Sequence, residues 1–219
     1  MIALHHLAVA DWRIPAFELR PGEVATMFAE SEESQVQFLD TLLGLRAPAA
    51  GTVTVLGRDL YHERERIRIG VLARVGTVPE DGGLISNLPV CENVLLPAAY
   101  HHGSTASQCE SAVVATLHSI GMSDEDAMRL MVQLPDNLTL FKKRLVALLR
   151  LLVQEPLLCI YQSLFDDLDH TAAAQLAQLA NRLQQRDARR ASLYTGREEE
   201  PLNEFCPGTR LTLERNDPP

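Results

Sequence analysis

Residues 22–45 read "GEVATMFAESEESQVQFLDTLLGL". An apolar strand, a short polar loop and an amphipathic helix follow one another, which is the layout of a phosphate-binding loop. The chemistry of such a loop needs glycines, so that backbone N–H groups can approach phosphate oxygens. It also needs a lysine for the terminal phosphates and a hydroxyl for magnesium. The loop "AESEESQV" instead carries Glu30, Glu32 and Glu33, with neither glycine nor lysine. At an effective dielectric near 20, one carboxylate about 4 Å from one phosphate charge costs roughly 4 kcal/mol. The plainest reading of these acids is a solvated loop capping its helix, because glutamate near a helix N-terminus complements the macrodipole. A sharper one is mimicry, in which carboxylates replace the phosphate charge and hold the loop shut.

Other residues with chemical potential are weaker. Ser31 and Ser34 lack a recognisable histidine with a supporting acid, so they are not candidate nucleophiles. The pairs His5-His6 and His101-His102 have no carboxylate or cysteine at ligand spacing, and no metal is expected. Cys91, Cys109, Cys159 and Cys206 are scattered without a CxxC spacing, as in a reduced cytosolic protein. Lys142, Lys143 and Arg144 form a basic triplet that could touch phosphate or lipid headgroups, although a solvated turn of helix explains it as well.

The elements that must position these residues alternate. Strands are predicted at 2–9, 16–20, 23–28, 51–60 (of edge type), 74–81, 157–161 and 191–195, with a terminal strand "TRLTLE". Helices are predicted at 34–45 and 170–187, and helical periodicity dominates from 87 to 153. This order predicts an α/β fold with a parallel core sheet. Residues 1–86 and 154–219 are expected to form the core β/α-β part of one domain, with 87–153 as an inserted helical subdomain.

With 219 residues the chain is long enough for one such domain. A formal net charge of −9 argues against nucleic acid as a partner. The N-terminus has no signal-peptide pattern, and the most apolar stretch, "LVALLRLLVQEPLLCIY", is too short and too charged to span a bilayer. No direct membrane insertion is expected, and any membrane association must run through a partner.

Five segments, "LRPGEV", "LLGLRAPAAGTVTVLGRDL", "VGTVPEDGGLISNLPVCENVLLP", "QLPDN" and "LDHTAAAQLAQL", together resemble the ATP-binding subunit of ATP-binding cassette (ABC) transporters over nearly the whole chain. The resemblance implies a P-loop NTPase-like ABC ATPase fold with an N-terminal antiparallel β part. The piece "DGGLISNLPVCENVLLPAAYH" is most similar to the branch serving Mla/Mce-type lipid transport. Aligned on this family, the phosphate-loop glycines fall on Ala29 and Ser34, the lysine on Gln35 and the magnesium-binding hydroxyl on Val36. The signature loop falls on Leu138, Thr139, Leu140, Phe141 and Lys142. The family's magnesium-sensing glutamine corresponds to Glu80. The magnesium-associated aspartate is Gln162, the catalytic glutamate is Ser163 and the switch histidine is Gly196. The acidic loop beyond the catalytic position survives in part as Asp166 to Asp169. Trp12 lies where the family often places an aromatic under adenine, and ordinary packing is the simpler role for it.

These substitutions predict a chain that is not an enzyme: a pseudo-ATPase without cofactor, structural or regulatory in a membrane transport complex, with lipid as the substrate class. The resemblance implies a membrane permease and another ABC ATPase-like subunit as partners, in a homo- or heterodimer. It also implies a cytoplasmic place, peripheral to the inner membrane. Glu80, Asp81, Leu84, Asn87 and Glu92 are expected near the permease contact. Two other expectations stand beside this one. The first is a divergent subunit that binds and hydrolyses ATP–Mg²⁺ to energise transport. The second is a free-standing scaffold.

Overall fold

The computed structural model describes residues 1–9, 12–100 and 106–215. Among the described residues the strands and helices follow in the order β1 (Ile2–Val9), β2 (Trp12–Leu19), β3 (Val24–Phe28), α1 (Glu32–Leu42), β4 (Ala50–Val55), β5 (Arg58–Asp59), α2 (Glu65–Leu72) and β6 (Val75–Val78). Next come α3 (Val90–Tyr100), α4 (Ala106–His118), α5 (Asp124–Met131), a 3-10 turn at Pro135–Asn137 and α6 (Leu140–Gln154). The chain closes with β7 (Leu158–Gln162), α7 (His170–Gln185), β8 (Ala191–Gly196), α8 (Glu199–Phe205), β9 (Thr209–Leu211) and β10 (Glu214–Arg215).

Two sheets form the frame. An antiparallel sheet has the order β10-β2-β1-β4-β5, and a second sheet has the order β6-β7-β8-β3-β9. Every pairing recorded in the second is parallel. The expected α/β fold is therefore present. One apolar cluster joins the antiparallel sheet, α1 and one face of the parallel sheet through Leu4, Trp12, Met27, Phe38 and Ile160. A second cluster joins the other face to α3–α7 through Val94, Leu145, Tyr161, Phe165 and Leu176. Strands buried on both faces read as continuous apolar runs, which is why "VATMF" and "LCIY" carry no alternation.

β1 shows how local chemistry shapes the frame. Its register on β4 shifts between His5 and Ala8, and His6 takes a left-handed φ of 47°. The bulge turns His5 and His6 both to solvent while Leu4 and Leu7 stay inside. Gly51 lies opposite, at φ 91°, where a Cβ would stand 2.4 Å from the His6 carbonyl oxygen. Glycine alone fits there.

Four element predictions change. The segment 51–60 is a hairpin: Leu56 (φ 50°) and Gly57 (φ 78°) form its two-residue turn, so two-residue β5 takes the sheet edge expected of β4. The terminal "TRLTLE" run is split, β9 pairing with β3 and β10 with β2 in the other sheet. Helices α2 and α8 were not foreseen. α2 is largely exposed, burying only Val71, and α8 carries a proline in its first turn and buries only Leu202, so both give a weak periodic signal.

Candidate functional site

The parallel strands deliver their C-terminal ends to one edge of the sheet, where ligands of open α/β sheets bind. Phe28 and Ala29 arrive there from β3, Val78 to Glu80 from β6, Gln162 and Ser163 from β7, and Gly196 and Arg197 from β8. Ala29 N–H donates to the Gly196 carbonyl at 2.9 Å, and Ser163 N–H donates to the Thr195 carbonyl at 2.7 Å. The expected site residues on these ends are thus brought together.

The loop after β3 runs directly into α1. Ser31 is its N-cap, accepting from Ser34 N–H at 3.2 Å, and its hydroxyl donates to Ser34 Oγ at 3.0 Å. Glu32 and Glu33 occupy the first turn and are exposed, as a macrodipole-complementing cap requires. Gln35, one turn in, is completely buried. Its Nε2 donates to Ser163 Oγ at 3.1 Å and to Thr195 Oγ1 at 3.0 Å, and Ser163 Oγ donates back to its Oε1 at 3.3 Å. Thr195 Oγ1 in turn donates to the Tyr161 carbonyl at 3.3 Å. Ser163 holds a left-handed φ of 51°, the kind of strain that persists only where surroundings enforce it. Val36 is partly exposed and carries no oxygen, and Gln162 offers only an amide, so these two positions do not fit a magnesium ion. Gly196 is tightly surrounded: a Cβ there would lie 3.1 Å from Asp166 Oδ1 and from Leu202 Cδ1, so these side chains would have to give by a few tenths of an ångström.

A charged network lies beside this neutral one. Arg144, from the basic triplet, is fully buried; the expectation of a solvated turn is corrected for this residue. One turn into α6, it points inward. Its Nε donates to the Glu80 carbonyl at 2.8 Å, and its Nη1 donates to the Asp166 and Leu164 carbonyls. Its Nη2 has no partner among the described residues. Arg197 Nη2 pairs with the Glu80 carboxylate, while Arg197 N–H donates to Asp166 Oδ2 at 2.8 Å. Burial raises the Glu80 pKa, nearby Glu32 and Asp166 push the same way, and Arg197 and Arg144 oppose them. Burial lowers the Arg144 pKa against the pull of Asp166 and Glu80. Glu32, Pro79, Glu80, Asp81, Leu140, Arg144 and Gln162 line an open cleft of about 470 Å³.

The signature-loop positions stand at the start of α6. Thr139 caps it, accepting from Lys142 N–H at 3.4 Å; Leu138 is buried and Phe141 packs against the interior. Of the expected permease-contact residues, Asn87 and Glu92 are exposed and Asp81 accepts from Gly83 N–H at 2.9 Å. Leu84 is half-buried against the core. Sequence reasoning missed Asn93, which is fully buried. Its Oδ1 accepts from Ile85 N–H at 2.8 Å, and its Nδ2 donates to the Ile85 and Leu88 carbonyls. Trp12 is buried edge-on against Phe38. Among the described residues no group of three His, Cys, Asp or Glu could hold a metal, and His101 and His102 lie outside the described residues. The four cysteines are free thiols. No helix is long and apolar enough to cross a membrane among the described residues.

No family model matches the chain. Its sequence is 30% identical over 156 residues to an uncharacterized ABC transporter ATP-binding protein of Mycobacterium tuberculosis, covering 70% of this chain and 60% of that protein. It is 28% identical over 168 residues to the lipoprotein-releasing system ATP-binding protein LolD 1 of Rhodopirellula baltica, covering 76% and 71%. The chain thus spans about 60% of the length of the mycobacterial relative. Its fold superposes on a dimeric ATP-binding cassette in a post-hydrolysis state bound to ADP and Pi, with a TM-score of 0.78 at 18% identity, covering 98% of this chain and 94% of the other. It matches cbiO1 of Clostridium perfringens, part of the cbiONQ complex, with a TM-score of 0.77 at 15% identity, covering 97% and 84%.

The expectation that the chain is not an enzyme is corrected by these comparisons. The sequence relatives are ATP-binding proteins of transporters, and the shared fold includes a cassette captured after hydrolysis. Loss of familiar side chains misled because it was read position by position, whereas kinship is carried by the framework around them. In sequence the chain is thus similar to ATP-binding proteins of ABC transporters, and it shares the fold of solved ATP-binding cassettes.

Proposed function

We propose that the chain is the ATP-binding subunit of an ABC-type transport complex, energising a membrane permease through nucleotide contacts of its own. The observation that carries this reading is the cleft at the sheet's C-terminal edge, where ligands of open α/β sheets bind, whose lining includes Arg144 and Gln162. Guanidinium and amide donors suit phosphate oxygens. Glu32, Glu80 and Asp81 oppose them, so binding is weaker than in a lysine-and-glycine loop. The chain then works as a homo- or heterodimer, in which a second ATP-binding subunit completes the site. The segment 87–153 forms a helical lobe, and residues 79–100 face the permease. This places the chain on the cytoplasmic side, peripheral to the membrane through that partner. The LolD relative, a protein of a lipoprotein-releasing system, and the likeness to the Mla/Mce branch favour a lipid-linked substrate.

Calorimetric titration of ATP, with and without Mg²⁺, into wild-type chain and Glu32→Gln tests this. Removing one exposed carboxylate from the cleft is expected to strengthen binding by about two- to fivefold, the effect of roughly 0.5–1 kcal/mol. No heat at millimolar ATP, for the chain alone or for the complex purified from native membranes, overturns the reading.

A further inference from the structure

Away from the strand ends, α4, α6 and α7 enclose a separate cavity of about 160 Å³. Its floor is Leu148, Leu149 and Leu152 of α6 with Leu179 and Leu183 of α7, all buried side chains. The hydroxyls in its lining among the described residues are committed elsewhere: Thr116 Oγ1 donates to the Ala112 carbonyl at 2.7 Å and Ser119 Oγ to the Thr116 carbonyl at 2.6 Å. The interior therefore has no hydroxyl hydrogen to offer a polar guest. Its size matches that of an engineered apolar cavity of about 150 Å³ that stays dry and takes up benzene.

The rim has the opposite character. Arg182 on α7 and Arg186, the cap at that helix's C-terminal end, are exposed, and both line the cavity. Neither side chain has a hydrogen-bond or ion-pair partner among the described residues. Two unpaired guanidiniums thus stand over a leucine-floored cavity. An apolar hollow and a bidentate cationic rim together specify a guest with one apolar end and one anionic end.

We infer that this cavity binds a carboxylate-bearing acyl chain. About six carbons fill the hollow, and the carboxylate lies between the Arg182 and Arg186 guanidiniums. The site is independent of the strand-end cleft, so it stands or falls apart from the proposed nucleotide function.

The test titrates octanoate, octanol and octylammonium into the full chain, followed by calorimetry and by NMR chemical shifts of the leucine methyls. Octanoate is expected to bind at least fivefold tighter than octanol, and octylammonium weaker than both, as two exposed charge contacts allow. The double variant Arg182→Gln/Arg186→Gln changes only exposed side chains. It is expected to abolish the preference for octanoate while leaving octanol affinity unchanged. Ala115→Trp, which closes the mouth from the exposed side of α4, is expected to remove binding of all three. Equal affinity for octanoate and octanol in wild type overturns the inference. So does binding that survives Ala115→Trp, or no binding of any probe at millimolar concentration.

Discussion

The Gln35 carboxamide donates to Ser163 Oγ across 3.1 Å and receives that hydroxyl's proton at 3.3 Å. These are the two positions at which the resemblance read from the sequence expects a phosphate-loop lysine and a catalytic carboxylate. Here they close on each other as a neutral, fully buried pair, with Thr195 as a third member. α1 is thereby fixed to the ends of β7 and β8 by the chain's own side chains. The loop's glutamates stay outside this pair, in solvent at the helix start.

Gln35→Lys tests that closure. Placing an ammonium beside two hydroxyls and no carboxylate leaves a desolvated charge with incomplete compensation. Such a change is expected to lower stability by roughly 3–5 kcal/mol, read from urea unfolding. Gln35→Met, which removes the donors without adding charge, is expected to cost less, about 1–3 kcal/mol, because Ser163 and Thr195 lose their partner. A lysine variant as stable as wild type would mean that the site opens freely to water.

The basic triplet separates into one structural and two surface residues. Arg144 donates to three carbonyls from two loops, those after β6 and after β7, and these acceptors have no replacement if it is lost. Arg144→Met is expected to cost about 3 kcal/mol, whereas Lys142→Met and Lys143→Met stay within about 0.5 kcal/mol. Thermal unfolding of the three variants side by side provides the comparison.

What could be read in the sequence follows from how far each signal reaches. The buried strands β3 and β7 and the long helix α7 announce themselves, because burial on two faces or on one helical stripe leaves a local pattern. The kinship also shows, since framework segments such as "LDHTAAAQLAQL" keep their order and spacing. Arg144 does not show: its neighbours Glu80 and Asp166 are 64 and 22 positions away, and a K-K-R run looks solvated. Nor does the pairing of Gln35 with Ser163, which are 128 positions apart. The split of the last strand between two sheets is likewise decided by tertiary pairing alone. The inference that failed, from missing catalytic side chains to a missing activity, used the positions and discounted the relatives' shared frame.

Asn93 carries the loop that leads from β6 into α3. Its amide satisfies one N–H and two carbonyls of residues 85–88, groups that would otherwise be half-buried without partners. Asn93→Leu keeps the volume and removes every bond. A loss of about 2–4 kcal/mol is expected, with faster amide exchange confined to 85–89. Global loss of protection, equal in β7 and in this loop, would instead show that Asn93 stabilises the whole fold and not the loop.

Alkaline pH should expose the buried thiols. Burial pushes Cys159 up to about 11 and Cys206 up to about 12, while Tyr161 and Tyr194 are carried well above their ordinary value for the same reason. Each thiol has an ordinary value of 9.0 once the chain unfolds. Above that pH the unfolded chain has released protons that the folded chain still holds, so stability falls as pH rises. The fall runs from about pH 9 to the folded values, at roughly 1.4 kcal/mol per pH unit for each thiol that titrates only on unfolding. Urea midpoints measured from pH 8 to 10.5 should therefore drop steeply above pH 9, and Cys159→Ala with Cys206→Ala should flatten the drop. In the native protein at pH 8, a thiol reagent should label half-exposed Cys91 alone, leaving Cys109, Cys159 and Cys206 to react at the rate of unfolding. Rapid labelling of all four at pH 8 would contradict this, because a thiol kept neutral and dry by its packing offers neither the thiolate nor the access that the reaction needs.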